Sequence, residues 1–181
     1  MAICRWLLEQ SQVHRQKGGE SGTQTQADKG VGPNPCDRGK MGVKQSLLVE
    51  GDGYPLAACI AGANVNDHLL LAGTLDAIVV ERPEPTEEKP QHLCLDKGYD
   101  YEAIHLLVPQ FGLTAHIKSR SQEHDEKQAA GARARRWVVE RAHSWMNRFR
   151  RLLIRWEKKS STYLAMVQFA LGIICWRAAY Q

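Results

Sequence analysis

The segment His92-Leu-Cys-Leu-Asp96-Lys-Gly-Tyr99 decides the fold class. A short, mostly apolar run ends on a carboxylate and a glycine turn, which reads as a buried strand with an acid at its C-terminal end. Upstream, Val43 to Val49 and Pro55 to Gly62 are β-rich runs separated by Glu50-Gly-Asp-Gly53, the pattern of a hairpin. Between hairpin and strand, Asn64-Val-Asn-Asp67 offers N-cap residues ahead of Leu69, Leu70, Leu71, Leu75 and Ile78 at helical spacing. Downstream, Tyr101 to Val108 reads as a short helix and Leu113 to Ile117 as a strand. A long basic helix is expected from about Arg133 to Leu153, and a helix apolar nearly all round from Ser161 to Trp176. This order predicts a mixed α/β fold with a sheet between helices.

With 181 residues, 43% hydrophobic and 24% charged, the chain is long enough to bury a core of its own and reads as one domain over 1–181. Residues 18–40 are rich in Gly, Thr, Gln, Pro and Asp, and read as a long flexible loop within it. The acidic, Pro-rich Glu81 to Pro90 reads as a surface linker. The five cysteines are scattered and none forms a C-x-x-C pair, which argues against a disulfide framework or a zinc site. They fit a reducing cytoplasm. The opening apolar run is too short for a signal peptide, and no stretch reaches the roughly 18 apolar residues of a membrane span. The last helix, about 15 residues long and interrupted by Gln168, reads as a buried core helix.

Charge is unevenly spread. Lys118 to Lys159 holds 13 Lys and Arg against 5 Asp and Glu, a surplus of eight, whereas the rest of the chain is slightly acidic. A basic segment of this kind is either a nucleic-acid contact or a solvated helix face.

Two acids stand out. Asp96, at the end of a strand before a glycine, occupies the place where open α/β sheets bind ligands, although Asp before Lys-Gly is also ordinary turn chemistry. On the basic helix, Val138, Ala142, Trp145, Met146, Phe149 and Leu153 form one apolar stripe, and Glu140 points away from it. Glu140 is either an exposed partner of Arg136 or an acid held among cations that suit a phosphate backbone.

The motifs Lys17-Gly-Gly, Gly32-Pro-Asn-Pro-Cys-Asp-Arg-Gly-Lys40, Gly42-Val-Lys44, Gly62-Ala-Asn-Val-Asn-Asp67, Leu95-Asp-Lys-Gly-Tyr-Asp100 and Arg136-Trp-Val-Val-Glu-Arg141, then Trp145-Met-Asn-Arg-Phe-Arg-Arg-Leu152, follow one another in order. Together they resemble the catalytic domain of bacterial insertion-sequence transposases of the DDE class, in the branch grouped with insertion sequence five. The resemblance implies a ribonuclease H-like fold and three acids that bind two divalent metals, normally Mg²⁺, with Mn²⁺ as a substitute. The second family Asp falls on Asp96 and the family Glu on Glu140, with Arg136 matching the Arg four residues earlier. The first family Asp falls on Glu9, in Glu9-Gln-Ser-Gln-Val13. Phosphodiester cleavage needs an activated nucleophile and charge neutralisation at both ends, which two metals held by carboxylate oxygens supply. On this assignment Asp96 bridges both ions, Glu9 shares the first and Glu140 completes the second. Lys97, Arg136, Arg141, Asn147, Arg148 and Arg151 are the expected contacts to double-stranded DNA, at transposon ends and target.

The resemblance further implies a bacterial, nucleoid-associated protein that is a homodimer when active. Glu in place of Asp at position 9, a start close to that residue without the N-terminal DNA-binding region, and extra residues in Glu20–Val31 point to a degraded or fragmentary copy. A catalytically inactive DNA-binding remnant is therefore the alternative to an active enzyme. A third reading is an unrelated α/β protein whose basic helix binds a partner.

Overall fold

The computed structural model describes residues 5–15, 30–117 and 136–180, with side chains described from 30 to 117 and from 138 to 180. Four strands form the frame before the first helix: β1 (Arg5–Arg15), the two-residue β2 (Gly32–Pro33), β3 (Met41–Val49) and β4 (Pro55–Gly62). Then come α1 (Leu71–Asp76), β5 (Gln91–Leu95), α2 (Glu102–Leu107), β6 (Leu113–Ile117), α3 (Arg136–Met146), β7 (Ile154–Arg155) and α4 (Ser160–Ala179). Short 3₁₀ turns cover Asp67–Leu70, Lys97–Tyr99, Val108–Phe111 and Arg150–Leu152.

β3 and β4 pair antiparallel as the expected hairpin, with Gly53 at φ +92° in its turn. β1 pairs antiparallel with β3 and parallel with β5, and β5 pairs parallel with β6, giving the order β4-β3-β1-β5-β6. The strand that ends before Asp96 thus lies inside the sheet, beside the first strand. β7 adds two rungs to the far end of β1, His14 to Ile154 and Arg15 to Arg155.

Strand alternation divides the apolar residues between two cores. Val43, Leu47 and Val49 of β3 face α3 and α4, against Val138, Val139, Ala142, Met146, Tyr163, Val167 and Ala170. Leu48, Leu93 and Leu95 face the other way, against Leu71 and Leu75 of α1 and Ile104 of α2. Helices on both faces satisfy a sheet with apolar side chains on each side.

Several family motifs prove to be joints of this frame. An added Cβ at Gly32 would lie 1.6 Å from Asn64 Oδ1, so glycine is what lets β2 close against the Asn64 turn. Lys44, 8% exposed, donates to the carbonyl of Val65 and to Asp67, tying β3 to the start of the first helical turn. Asn34 Oδ1 accepts from the backbone N–H of Cys36, closing the turn after β2.

Three expectations need correction. The basic helix stops at Met146 rather than Leu153, because backbone pairing tightens from i−4 to i−3 at Arg148 and Phe149. That change of period buries Leu152 and leaves Leu153 outside. The last helix, Ser160–Ala179, is longer than expected and buried along one face only: Tyr163, Val167, Ala170, Leu171 and Ile174 pack inward, while Phe169 and Trp176 are 72% and 65% exposed. By length and composition this helix could cross a membrane, but its inward face is committed to the core beside β4. Within the expected loop, Gly32–Pro33 forms strand β2, and residues 18–29 lie outside the described residues. Glu81 to Pro90 runs over the surface as expected. Among the described residues, Cys36, Cys59, Cys94 and Cys175 form no disulfide.

Candidate active site

Asp96 follows the last residue of β5 in extended conformation and caps the 3₁₀ turn Lys97–Tyr99. Its Oδ1 accepts from the backbone N–H of Gly98, and a Cβ on Gly98 would stand 2.9 Å from that oxygen. Glycine at 98 therefore permits the close approach that fixes the carboxylate. Turn chemistry and a strand-end acid are here one arrangement, and Asp96 and Lys97 are both exposed.

Position 9 is located by backbone register. Glu9 pairs with Leu47 of β3, and residues directly opposite in a ladder share a face, so position 9 lies on the face that α3 covers. On the parallel side Leu7 pairs with Cys94, and two further residues along each strand set Glu9 abreast of Asp96. Leu93 and Leu95 belong to the opposite core, so alternation puts Asp96 on the α3 face as well.

Glu140 lies on α3, between buried Val138, Val139 and Ala142, and is exposed. The helix is anchored at the β3–β4 turn. Arg141 Nη1 donates to the Asp52 carbonyl at 3.2 Å, and its guanidinium carbon sits 5.8 Å from the Trp145 ring centre. Trp145 in turn stacks on Tyr54 at 5.7 Å. A side chain at Gly53 would come within 3.0 Å of the Val138 carbonyl, so the turn glycine admits the helix. His143, three residues beyond Glu140, is held below its ordinary pKa by burial, which disfavours the charged ring.

Among the described residues neither Asp96 nor Glu140 is engaged in an ion pair, and no three His, Cys, Asp or Glu side chains converge as a metal-binding group. The side chains of Glu9 and Arg136 lie outside the description, so the expected Arg136–Glu140 pair does too. Asn147 is exposed just past the helix end, and Arg148 is exposed beside it. Arg151 is bound to Glu157, Nη2 to Oε1 at 2.6 Å, and stands over Trp156. Sequence reasoning missed Arg155, which is fully buried and donates to the carbonyls of Gly30, Glu157 and Lys158 and to Ser160 Oγ. An arginine in a basic run carries no signal of burial.

Residues 93–177 match the model of the transposase DDE domain. Over 149 residues the chain is 38% identical to a protein described as the transposase for insertion sequence element IS402 of Burkholderia cepacia, spanning 81% of this chain and 68% of that protein. The chain belongs to the DDE transposase family. That membership removes the reading as an unrelated α/β protein. Among solved structures, this DDE-family chain is similar to piggyBac transposase in its synaptic complex with hairpin DNA, with a TM-score of 0.39 and 11% identity. The likeness covers 66% of the chain and about a quarter (24%) of the piggyBac chain.

Proposed function

We propose that this chain is a ribonuclease H-like catalytic domain, over 1–181, that cleaves transposon-end DNA and transfers its strands through Glu9, Asp96 and Glu140. One observation carries the reading: in a chain of the DDE family, the register of β1 and β5 sets position 9 abreast of Asp96, on the face covered by the Glu140 helix. The sheet order, with parallel β1, β5 and β6 at one side of an antiparallel meander, supports the fold assignment.

The donor chemistry fits divalent Mg²⁺ or Mn²⁺. Three carboxylates offer hard oxygen ligands, and Asp96 and Glu140 are exposed and outside any ion pair among the described residues. Glu9, Asp96 and Glu140 would hold the metals, which supply an activated nucleophile and neutralise charge on the scissile phosphate. The chain's own contribution is positioning. The Gly98 N–H orients Asp96, and the Tyr54–Trp145 stack and Arg141 seat the Glu140 helix. Lys97, Arg136, Arg141, Asn147 and Arg148 hold the phosphate backbone of double-stranded DNA, contributing affinity that falls with salt. Arg151 reaches phosphate only as far as its bond to Glu157 allows. We place the protein in the bacterial cytoplasm, as a homodimer when active.

The test is Mg²⁺- or Mn²⁺-dependent nicking of a labelled transposon end. Asp96→Ala and Glu140→Ala should abolish it. The extra methylene at position 9 moves a carboxylate by on the order of 1 Å, which can cost ~10²-fold in rate, so Glu9→Asp should raise a weak activity toward that of an Asp-Asp-Glu site. Cleavage that survives both alanine variants would show the acids to be misassigned. Salt-sensitive DNA binding without cleavage in either position-9 form would favour the inactive remnant.

A further inference from the structure

Trp156 has no role in the site described above, yet the fold holds it out with unusual care. It follows β7 directly and is 54% exposed, although tryptophan is among the largest apolar side chains. The backbone on both sides is pinned, before Trp156 by the pairing of Arg155 with Arg15 in the β1–β7 ladder and after it by the Arg155 side chain. Arg155 is fully buried, and its guanidinium bonds the carbonyls of Glu157 at 3.0 Å and Lys158 at 3.1 Å, the two residues that follow Trp156. The same group reaches Gly30 O at 3.0 Å and Ser160 Oγ at 3.3 Å. Arg151 stands 5.8 Å from the indole centre and is held there by Glu157. The indole is thus presented from a pinned backbone, with a guanidinium over one face of its ring and the residue more than half exposed.

Its surroundings are cationic. Arg148, Arg150, Arg151, Lys158 and Lys159 are all exposed within this short segment, and its one acid, Glu157, is spent on Arg151. Excess positive charge next to an exposed aromatic face suits a polyanion with flat bases. In a duplex the base faces are stacked on one another, so the matching partner is one whose bases are unstacked. The rung from Ile154 to His14 lies five positions beyond Glu9 on β1, about 16 Å at strand rise. That is roughly five nucleotides at duplex spacing, within the reach of one bound DNA end.

We infer that Trp156 and Arg151 form a stacking platform for single-stranded DNA flanking the cleavage site. The inference rests on the proposed transposase function, and deepens it by naming which form of DNA this surface selects. A base would lie on the indole while Arg148, Arg150, Lys158 and Lys159 follow the phosphates.

The experiment measures binding of the full chain, in EDTA to prevent cleavage, by fluorescence anisotropy. The probes are a labelled oligothymidylate, a duplex of equal length, and an oligothymidylate with abasic sites in place of bases. Trp156→Ala should weaken oligothymidylate binding about 5- to 150-fold, the loss of one stacked base, and leave duplex binding unchanged. Trp156→Tyr should retain most of the affinity. Abasic sites should weaken binding to the wild-type chain but add nothing in Trp156→Ala. An equal loss for both DNA forms, or none, would overturn the platform while leaving DNA binding intact. Failure of the wild-type chain to bind either form at low salt would remove the proposed function and the platform together.

Discussion

Replacing Arg155 by Met tests the joint that ties the segment before β2 to the segment between β7 and α4. The guanidinium is fully buried and donates to three carbonyls and a hydroxyl, with the Tyr163 ring 5.8 Å away. Methionine fills similar volume but donates nothing. The bond to Gly30 O is buried, and an orphaned buried acceptor costs about 1–3 kcal/mol. The bonds to Glu157 O and Lys158 O are partly exposed, so water can replace the guanidinium there, at about 0.5–1.5 kcal/mol each. Relief from burying a cation offsets part of this. The net expectation is a loss of roughly 2–5 kcal/mol, or about 5–15 °C in Tm for a chain of this size. Arg155→Lys keeps the charge but lacks the fork, so it should fall between Met and wild type. Urea unfolding followed by circular dichroism measures both. A Met variant within about 1 kcal/mol of wild type would refute the reasoning, since the carbonyls would then have no need of their donor.

Two further outcomes follow from the same frame. Gly32→Ala forces a methyl group to within 1.6 Å of Asn64 Oδ1, so it should destabilise the chain by about 1–3 kcal/mol, and adding Asn64→Ala should recover much of the loss in thermal unfolding. Burial holds the His143 pKa below its value in the unfolded chain, so the unfolded state binds more protons just below pH 6.5; stability should fall as pH drops through that window, and His143→Gln should flatten the slope of urea midpoints against pH.

The hairpin, β5 and β6 were legible because each is a short apolar run closed by Gly, Asn or Asp, and Asp96 was legible as the acid at such an end. β1 was not legible from its pattern. Its middle, Glu9-Gln-Ser-Gln12, is polar, and only pairing on both edges makes it a strand. Glu9 therefore came from motif order rather than from periodicity. The over-long basic helix has a different cause. The apolar spacing continues past Met146, but the backbone changes its hydrogen-bond period there, and periodicity in sequence cannot report that change. Composition likewise showed that the last helix is apolar all round without showing that Phe169 and Trp176 face outward. Lys44 and Arg155 were hidden for a simpler reason. Cations are read as solvated, and their burial depends on backbone carbonyls that the sequence does not display.

The position of β1 sets a timetable for biosynthesis. It is made before every strand it pairs with, and its parallel partners arrive late: β5 near residue 91 and β7 near residue 154. The contact between Gly30 and Arg155 spans 125 positions. At ribosomal rates of about 5–20 residues per second, β1 waits on the order of ten seconds for its last rung. Through that interval the β1–β3–β4 meander can fold, but it carries an open edge where β5 will dock, a template for pairing with another nascent chain. The charges of Arg5, Glu9 and Arg15 in that strand discourage such pairing. Glu9, the acid proposed above for the site, is thus also a guard on the growing sheet, and its charge serves the chain before the later strands have docked.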